Sequence, residues 1–120
     1  MSDFPRWYRL EGRTPVRVFG PEEATMPGGN QIARTRVGAC DVSTIFLPFD
    51  HAWDDGPLLF ETIIFGGPID GEYSMRYSDI DAAEAGHLAA CAFAREQQSW
   101  LATFRRWLAR IREAMRGGWR

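Results

Sequence analysis

Leu58-Leu59-Phe60-Glu61-Thr62-Ile63-Ile64-Phe65, preceded by Val42-Ser43-Thr44-Ile45-Phe46-Leu47, decides the fold class. Both runs are rich in β-branched and aromatic residues, which suit a pleated, packed surface, and each ends in turn chemistry, Pro48 or Gly66-Gly67-Pro68. They read as two strands joined by the loop Pro48–Pro57. Working outward, Ile32–Val37, ended by Gly38, reads as a third strand. Pro15–Phe19 reads as a fourth, with proline at its entry where a missing N–H is tolerated. Tyr73–Tyr77 makes a short last strand, and Pro21–Asn30, with Pro27-Gly28-Gly29-Asn30, reads as a loop.

After Ser78 the period changes. Ser78-Asp79-Ile80-Asp81 places a hydroxyl at an N-cap and an acid three residues on, much like a capping box. Apolar residues recur at Leu88, Phe93, Trp100, Leu101, Phe104, Trp107, Leu108, Ile111 and Met115, and the series 93, 100, 104, 107, 111 keeps to one face. Gly86 and Glu96-Gln97-Gln98-Ser99 are the weak points. The spacing predicts one long helix over about 79–116, roughly 55 Å, with a break near Ser99 as the alternative. The expected architecture is a single α+β domain: an antiparallel sheet of four to five strands over about 15–77, and a long C-terminal helix packed on one face.

If the two strong strands form a hairpin, one face shows Ser43, Ile45, Leu47, Leu58, Phe60, Thr62 and Ile64. The other shows Val42, Thr44, Phe46, Leu59, Glu61, Ile63 and Phe65. Both are apolar, whereas a half-exposed sheet alternates apolar with polar. One helix covers only one face, and this helix outruns so small a domain. A homo-oligomer follows as an expectation, most simply a two-fold dimer.

The 120 residues are 45% hydrophobic and 13% aromatic with a net charge of -2, which suits one folded domain and not a disordered chain. Cys40 and Cys91 lie far apart without a C-x-x-C pair, which excludes a disulfide framework or zinc ribbon. No apolar run approaches the roughly 18–20 residues of a membrane span. The N-terminus has neither the basic start nor the apolar stretch of a secretory signal. A soluble intracellular domain is expected. All basic residues are arginine. Acids crowd Asp50–Glu84, while Arg105, Arg106, Arg110, Arg112, Arg116 and Arg120 face only Glu113 in the tail. A solvated helix face complementing the helix dipole explains that tail. The pI of 5.6 argues against a nucleic-acid domain.

The loop Pro48–Pro57 holds Asp50, His51, Trp53, Asp54 and Asp55. His51 is a possible general base, or with the aspartates a metal ligand. The spacing matches no metal loop, and backbone hydrogen bonding is the simpler role. Trp53 suits either stacking on a flat ligand or closing the core. Glu61, costly inside so apolar a run, needs a partner, and Arg76 in the next strand is the obvious one. The pair is either structural or, with Tyr77, an anion or ligand site. His87 reads as a satisfied core histidine and both cysteines as inert. No nucleophile–base order, phosphate loop, paired-carboxylate pattern or metal motif occurs, so no catalytic residue, metal or cofactor is expected.

The blocks Val42–Leu47, Asp50-His51, Gly56–Thr62 and Phe65-Gly66-Gly67 occur in order, flanked by Trp7-Tyr8, Leu10-Glu11-Gly12, Pro15-Val16, Arg76-Tyr77-Ser78 and Glu84-Ala85-Gly86-His87. Together they make the chain resemble a family of small uncharacterised proteins of tailed bacteriophages and prophages. The resemblance covers roughly Trp7 to Leu88, departs at Pro48-Phe49, and does not extend to the tail beyond Phe93. It implies a setting, a phage accessory protein in the host bacterial cytoplasm, and carries over no catalytic residue. The expected function is a non-enzymatic antagonist of bacterial anti-phage immunity that binds a small nucleotide-like signal through Arg76, Tyr77, Glu61, Trp53 and His51. The alternative is a protein–protein inhibitor of a host defence complex, anti-CRISPR-like, using Asp50, Asp54, Asp55, Arg105, Arg106 and Arg110. DNA binding through the arginine-rich helix stands third.

Overall fold

The computed structural model describes residues 6–50 and 56–118. Two tight hairpins begin the β structure. Strands β1 (Trp7–Glu11) and β2 (Thr14–Val18) pair antiparallel around Gly12-Arg13, and β3 (Gln31–Val37) and β4 (Cys40–Phe46) around Gly38-Ala39. Gly12 (φ 60°) and Gly38 (φ 59°) each take the first loop position, where a two-residue turn matched to strand twist requires glycine. β5 (Phe60–Phe65) and β6 (Ser74–Tyr77) complete a four-stranded antiparallel meander in the order β3-β4-β5-β6. One short helical turn, α1 (Pro21–Ala24), links the hairpins, and α2 (Ile80–Gly118) follows the sheet. The fold is α+β, with a long C-terminal helix on the sheet.

Several details depart from expectation. Trp7–Glu11 is an additional strand, and β1 with β2 forms a separate two-stranded sheet. The helix runs unbroken through Ser99. Its cap is Asp79, whose Oδ1 accepts the Ala82 N–H at 2.8 Å, not the Ser78 hydroxyl. The expected grouping of sheet faces is out of phase by one residue. Val42, Thr44 and Phe46 stand opposite Ile64, Thr62 and Phe60, while Asp41, Ser43 and Ile45 stand opposite Phe65, Ile63 and Glu61. With side chains alternating at period two, a one-residue slip transfers a whole strand to the other face. Because both runs are apolar on both sides, their composition does not specify the phase.

The covered face is fully buried: Val42, Thr44, Phe46, Phe60, Thr62 and Ile64. Helix α2 meets it with Ala83, Gly86, His87, Ala90, Cys91 and Ala94, all buried. These are mostly small, so the helix backbone approaches the sheet closely. Gly86 makes room for Tyr77, whose ring occupies the place a Cβ would take. At one end of this face the first hairpin closes the core, with Tyr8 and Leu10 packed on Phe46, Leu59, Phe60 and Ala83. Its turn throws Arg13 onto the helix, bonded to Asp81 (2.6 Å) and Glu84 (2.6 and 3.2 Å).

At the other end Gln98 ties the helix to the β3–β4 turn. Its Nε2 donates to the carbonyls of Val37 (2.7 Å) and Ala94 (3.1 Å), and its Oε1 accepts the Ala39 N–H (2.8 Å). Beyond Gln98 the sheet ends and the helix continues. The protein is 76 Å long with a radius of gyration of 20.6 Å, against about 14 Å for a compact chain of this size.

Gly86 supplies a test in which two effects oppose. Alanine in a helix interior gains about 1 kcal/mol over glycine, whereas overpacking a core costs typically 1–3 kcal/mol. With the Tyr77 ring in the way, Gly86→Ala is expected to lose up to about 2 kcal/mol in urea unfolding. A gain in stability would show that the ring moves aside freely.

Candidate functional site

Among the described residues three places bring chemistry-bearing side chains together, and they differ in what they leave open. The first lies under α2. His87 Nδ1 is 2.8 Å from Thr44 Oγ1 and Nε2 is 2.9 Å from Thr35 Oγ1. Thr44 Oγ1 meets Thr62 Oγ1 at 2.5 Å, and Thr62 also hydrogen-bonds Tyr77. Burial lowers the His87 pKa, which favours a neutral ring donating to one hydroxyl and accepting from the other. Burial, reinforced by Tyr73, raises that of Tyr77, with the Thr62 bond opposing. Among the described residues no buried side-chain nitrogen or oxygen lacks a partner. This is a closed structural relay, and His87 is the satisfied core histidine its sequence context implies.

The second place is the open sheet face. Arg76 Nε donates to Glu61 Oε2 at 3.0 Å, and the Ser74 hydroxyl donates to the same oxygen at 3.2 Å. The expected Glu61–Arg76 pair therefore forms. Tyr77, the next residue of β6, points to the opposite, helix-covered face, because successive strand residues alternate. The strand thus joins Arg76 to Glu61 and separates both from Tyr77. His51, Trp53, Asp54 and Asp55 lie outside the described residues. Asp50 is described: its carboxylate is buried, 3.8 Å from the Arg6 guanidinium, and its N–H donates to the Arg6 carbonyl. It is turned inward and forms no part of an acidic outer surface. Farther along the open face, Arg34 and Arg36 approach Asp41 at 3.5 and 3.6 Å beside a shallow depression of about 300 Å³. Exposed pairs of this kind contribute roughly 0–1 kcal/mol. The apolar residues here, Ile45, Ile63 and Phe65, are interrupted by these charges, so the face is more polar than expected.

The third place is the overhang of α2 beyond Gln98, about 20 residues and roughly 30 Å long. Trp100 is 62% exposed, Phe104 40%, Trp107 55% and Met115 56%, with Leu101, Leu108 and Ile111 half-buried along the same side. Trp100 stacks on Phe104 (centroids 5.3 Å, planes 4° apart) and Phe104 on Trp107 (5.8 Å, 30°). Arg105, Arg106, Arg112 and Arg116 fall off this stripe, and Arg110 lies at its edge. The stripe expected to pack on the sheet is thus real but lies beyond it, where the sheet has ended. Phe93, at its start, does pack on the body, against Tyr73 at 5.2 Å. Where the overhang leaves the body, Ala39, Gly67, Pro68, Gln98, Leu101, Ala102 and Arg105 line a notch of about 470 Å³.

Gly86 and the stretch Glu96–Ser99 were the apparent weak points of the helix pattern, and Gly86 and, within that stretch, Gln98 make specific contacts. A glycine and a glutamine in otherwise apolar register mark close approach and backbone capture, a signal legible only once the strands are placed. Among the described residues no three His, Cys, Asp or Glu side chains converge as a metal site, and no helix is long and apolar enough to cross a membrane. Comparison of the chain with protein families, with curated proteins and with solved structures gives no match.

The relay makes stability depend on pH with a definite sign. The His87 pKa is lower in the fold than the ordinary value near 6.5. The unfolded chain therefore binds the proton more readily, and the stabilising contribution, complete above about pH 6.5, is lost as pH falls through the folded value. The carboxyl of Glu84, held down by Arg13, acts only at more acidic pH. Between pH 7 and 5 the urea midpoint of the wild type is expected to fall more steeply than that of His87→Gln. Parallel slopes would show that the ring titrates as if in water.

Proposed function

We propose that the protein is a non-enzymatic binding protein whose recognition element is the overhang of α2, docking its apolar side against another protein chain. In the phage setting suggested by the sequence resemblance, this is an accessory protein of the host cytoplasm that antagonises bacterial immunity by gripping a protein. The observation that carries the reading is the row Trp100, Phe104, Trp107, three exposed rings stacked on a helix that no other element covers among the described residues. A contiguous exposed apolar patch with a polar rim is the usual mark of a protein contact. Aromatic residues presented at helical spacing are the anchors of helix-in-groove recognition.

Capture of a small nucleotide-like anion has weaker support. It needs a guanidinium and an aromatic ring converging on one ligand. Here Glu61 engages Arg76, and Tyr77 lies across the sheet. Surface mimicry of nucleic acid by the acidic middle loses Asp50 to the interior.

The test compares what purified variants bind. Trp107→Glu is expected to keep the wild-type thermal unfolding midpoint, because the overhang is outside the core, while partner affinity falls at least 30-fold, about 2 kcal/mol. Arg76→Ala is expected to bind as the wild type does. The reverse outcome, with nucleotide released on denaturing the wild type, would move the function to the open sheet face.

A further inference from the structure

Resting on the reading of the overhang as the recognition element, we infer that its first partner is the overhang of a second copy of this chain, packed antiparallel about a two-fold axis near Phe104. Gln97, Trp100, Phe104, Trp107, Ile111 and Ala114 recur in alternating steps of three and four, the spacing of a two-helix seam. Leu101, Leu108 and Met115 widen the seam on one side. On the other side its flank holds Glu96, Thr103 and Arg110. The remaining arginines, 105, 106, 112 and 116, lie away from it, so two copies can meet without bringing their main positive charge together.

The order of residues favours opposed directions. Around Phe104 the seam reads nearly the same both ways, with Trp100 on one side and Trp107-Leu108 on the other. Reversal about this point sets Gln97 beside the partner copy's Ile111 position. It also brings Glu96 near the position of Arg110 on the second copy, where a parallel pair would set Glu96 and Arg110 against the apolar Leu101 and Met115 positions instead.

Charge at the far end of the seam points the same way. Phe93, on the side of α2 that continues as the seam, packs against Tyr73 at the end of the β5–β6 loop. That loop carries Asp70 and Glu72, both exposed. An antiparallel second helix running toward Phe93 delivers its Arg112 and Arg116 end to this acidic loop. Size is adequate too. Each of the three rings leaves roughly 100 Å² in water, and pairing two such rows over 30 Å with the flanking leucines reaches the ~1,200 Å² of a specific interface.

Light scattering and sedimentation of the full chain at tens of micromolar are expected to give twice the chain mass. Phe104→Arg is expected to weaken association at least tenfold while leaving the thermal unfolding midpoint of the body unchanged. Orientation is read by mixing Gln97→Cys and Ile111→Cys proteins under mild oxidation, with Cys40 and Cys91 buried. The mixed disulfide should form ahead of either homodimer. Homodimers forming first would overturn the antiparallel arrangement, and an association that Phe104→Arg leaves intact would overturn the interface. A monomeric wild type at 100 μM would overturn self-pairing yet leave recognition of a different protein by the overhang standing. That broader reading fails on its own terms, if Trp107→Glu still captures its partner.

Discussion

The close approach of α2 to the sheet is the constraint on which the rest of the molecule depends. Ala83, Gly86, Ala90 and Ala94 bring the helix backbone near enough for His87 to reach both Thr35 and Thr44, and for Tyr77 to lie beneath it. A larger residue at any of these positions would lift the helix and leave the buried imidazole of His87 without its threonine partners. An unsatisfied buried polar group costs roughly 1–3 kcal/mol, so the relay demands close packing as much as it benefits from it. The same closeness lets Gln98 hold the β3–β4 turn by two hydrogen bonds, to Val37 and Ala39, which fixes the direction in which the helix leaves the body.

Strand existence and the helical tail were legible because they follow from local chemistry. β-branched and aromatic runs bounded by Gly and Pro make strands, and three-and-four spacing makes a helix. The Glu61–Arg76 pair was legible for the same kind of reason, since a carboxylate in an apolar strand needs a cation and only one lies in the next strand. What stayed hidden was phase. Val42–Leu47 and Leu58–Phe65 are apolar at odd and even positions alike, so nothing local told which set faces the helix. Phase also decides whether Arg76 and Tyr77 share a face, and in β6 they do not. Trp7–Glu11 escaped notice because Arg9 and Glu11 dilute its pattern, and a hairpin at the edge of the core needs only Tyr8 and Leu10 to anchor it.

The larger misreading concerns which part of the helix makes the core. Large apolar residues at helical spacing ordinarily mark the buried side, and here they mark the side without a neighbour. The segment that does pack, residues 83–98, is lined by alanine, glycine, cysteine and histidine, a composition that looks weak when hydrophobicity is summed. Size and burial have been uncoupled along one helix. Small residues sit where a flat sheet demands close contact, and large ones where the surface must reach across to something else.

Magnitudes decide which exposed feature matters. The Arg34–Asp41–Arg36 and Arg76–Glu61 contacts are partly solvated pairs, each contributing no more than about 1 kcal/mol. A half-exposed tryptophan that becomes covered removes roughly 100 Å² from water and gains about 2.5 kcal/mol at 25 cal/mol per Å². Three such rings in a row therefore outweigh every ion pair on the open face together. The overhang also has a reason of its own to be covered. A helical segment of about 20 residues that meets the body only at its root is marginally stable in water, and bulky aromatics are poorer helix formers than alanine or leucine. Association would stabilise the helix and remove its apolar side from solvent in one step, and the arginines on the opposite side would remain outward to keep the assembly soluble.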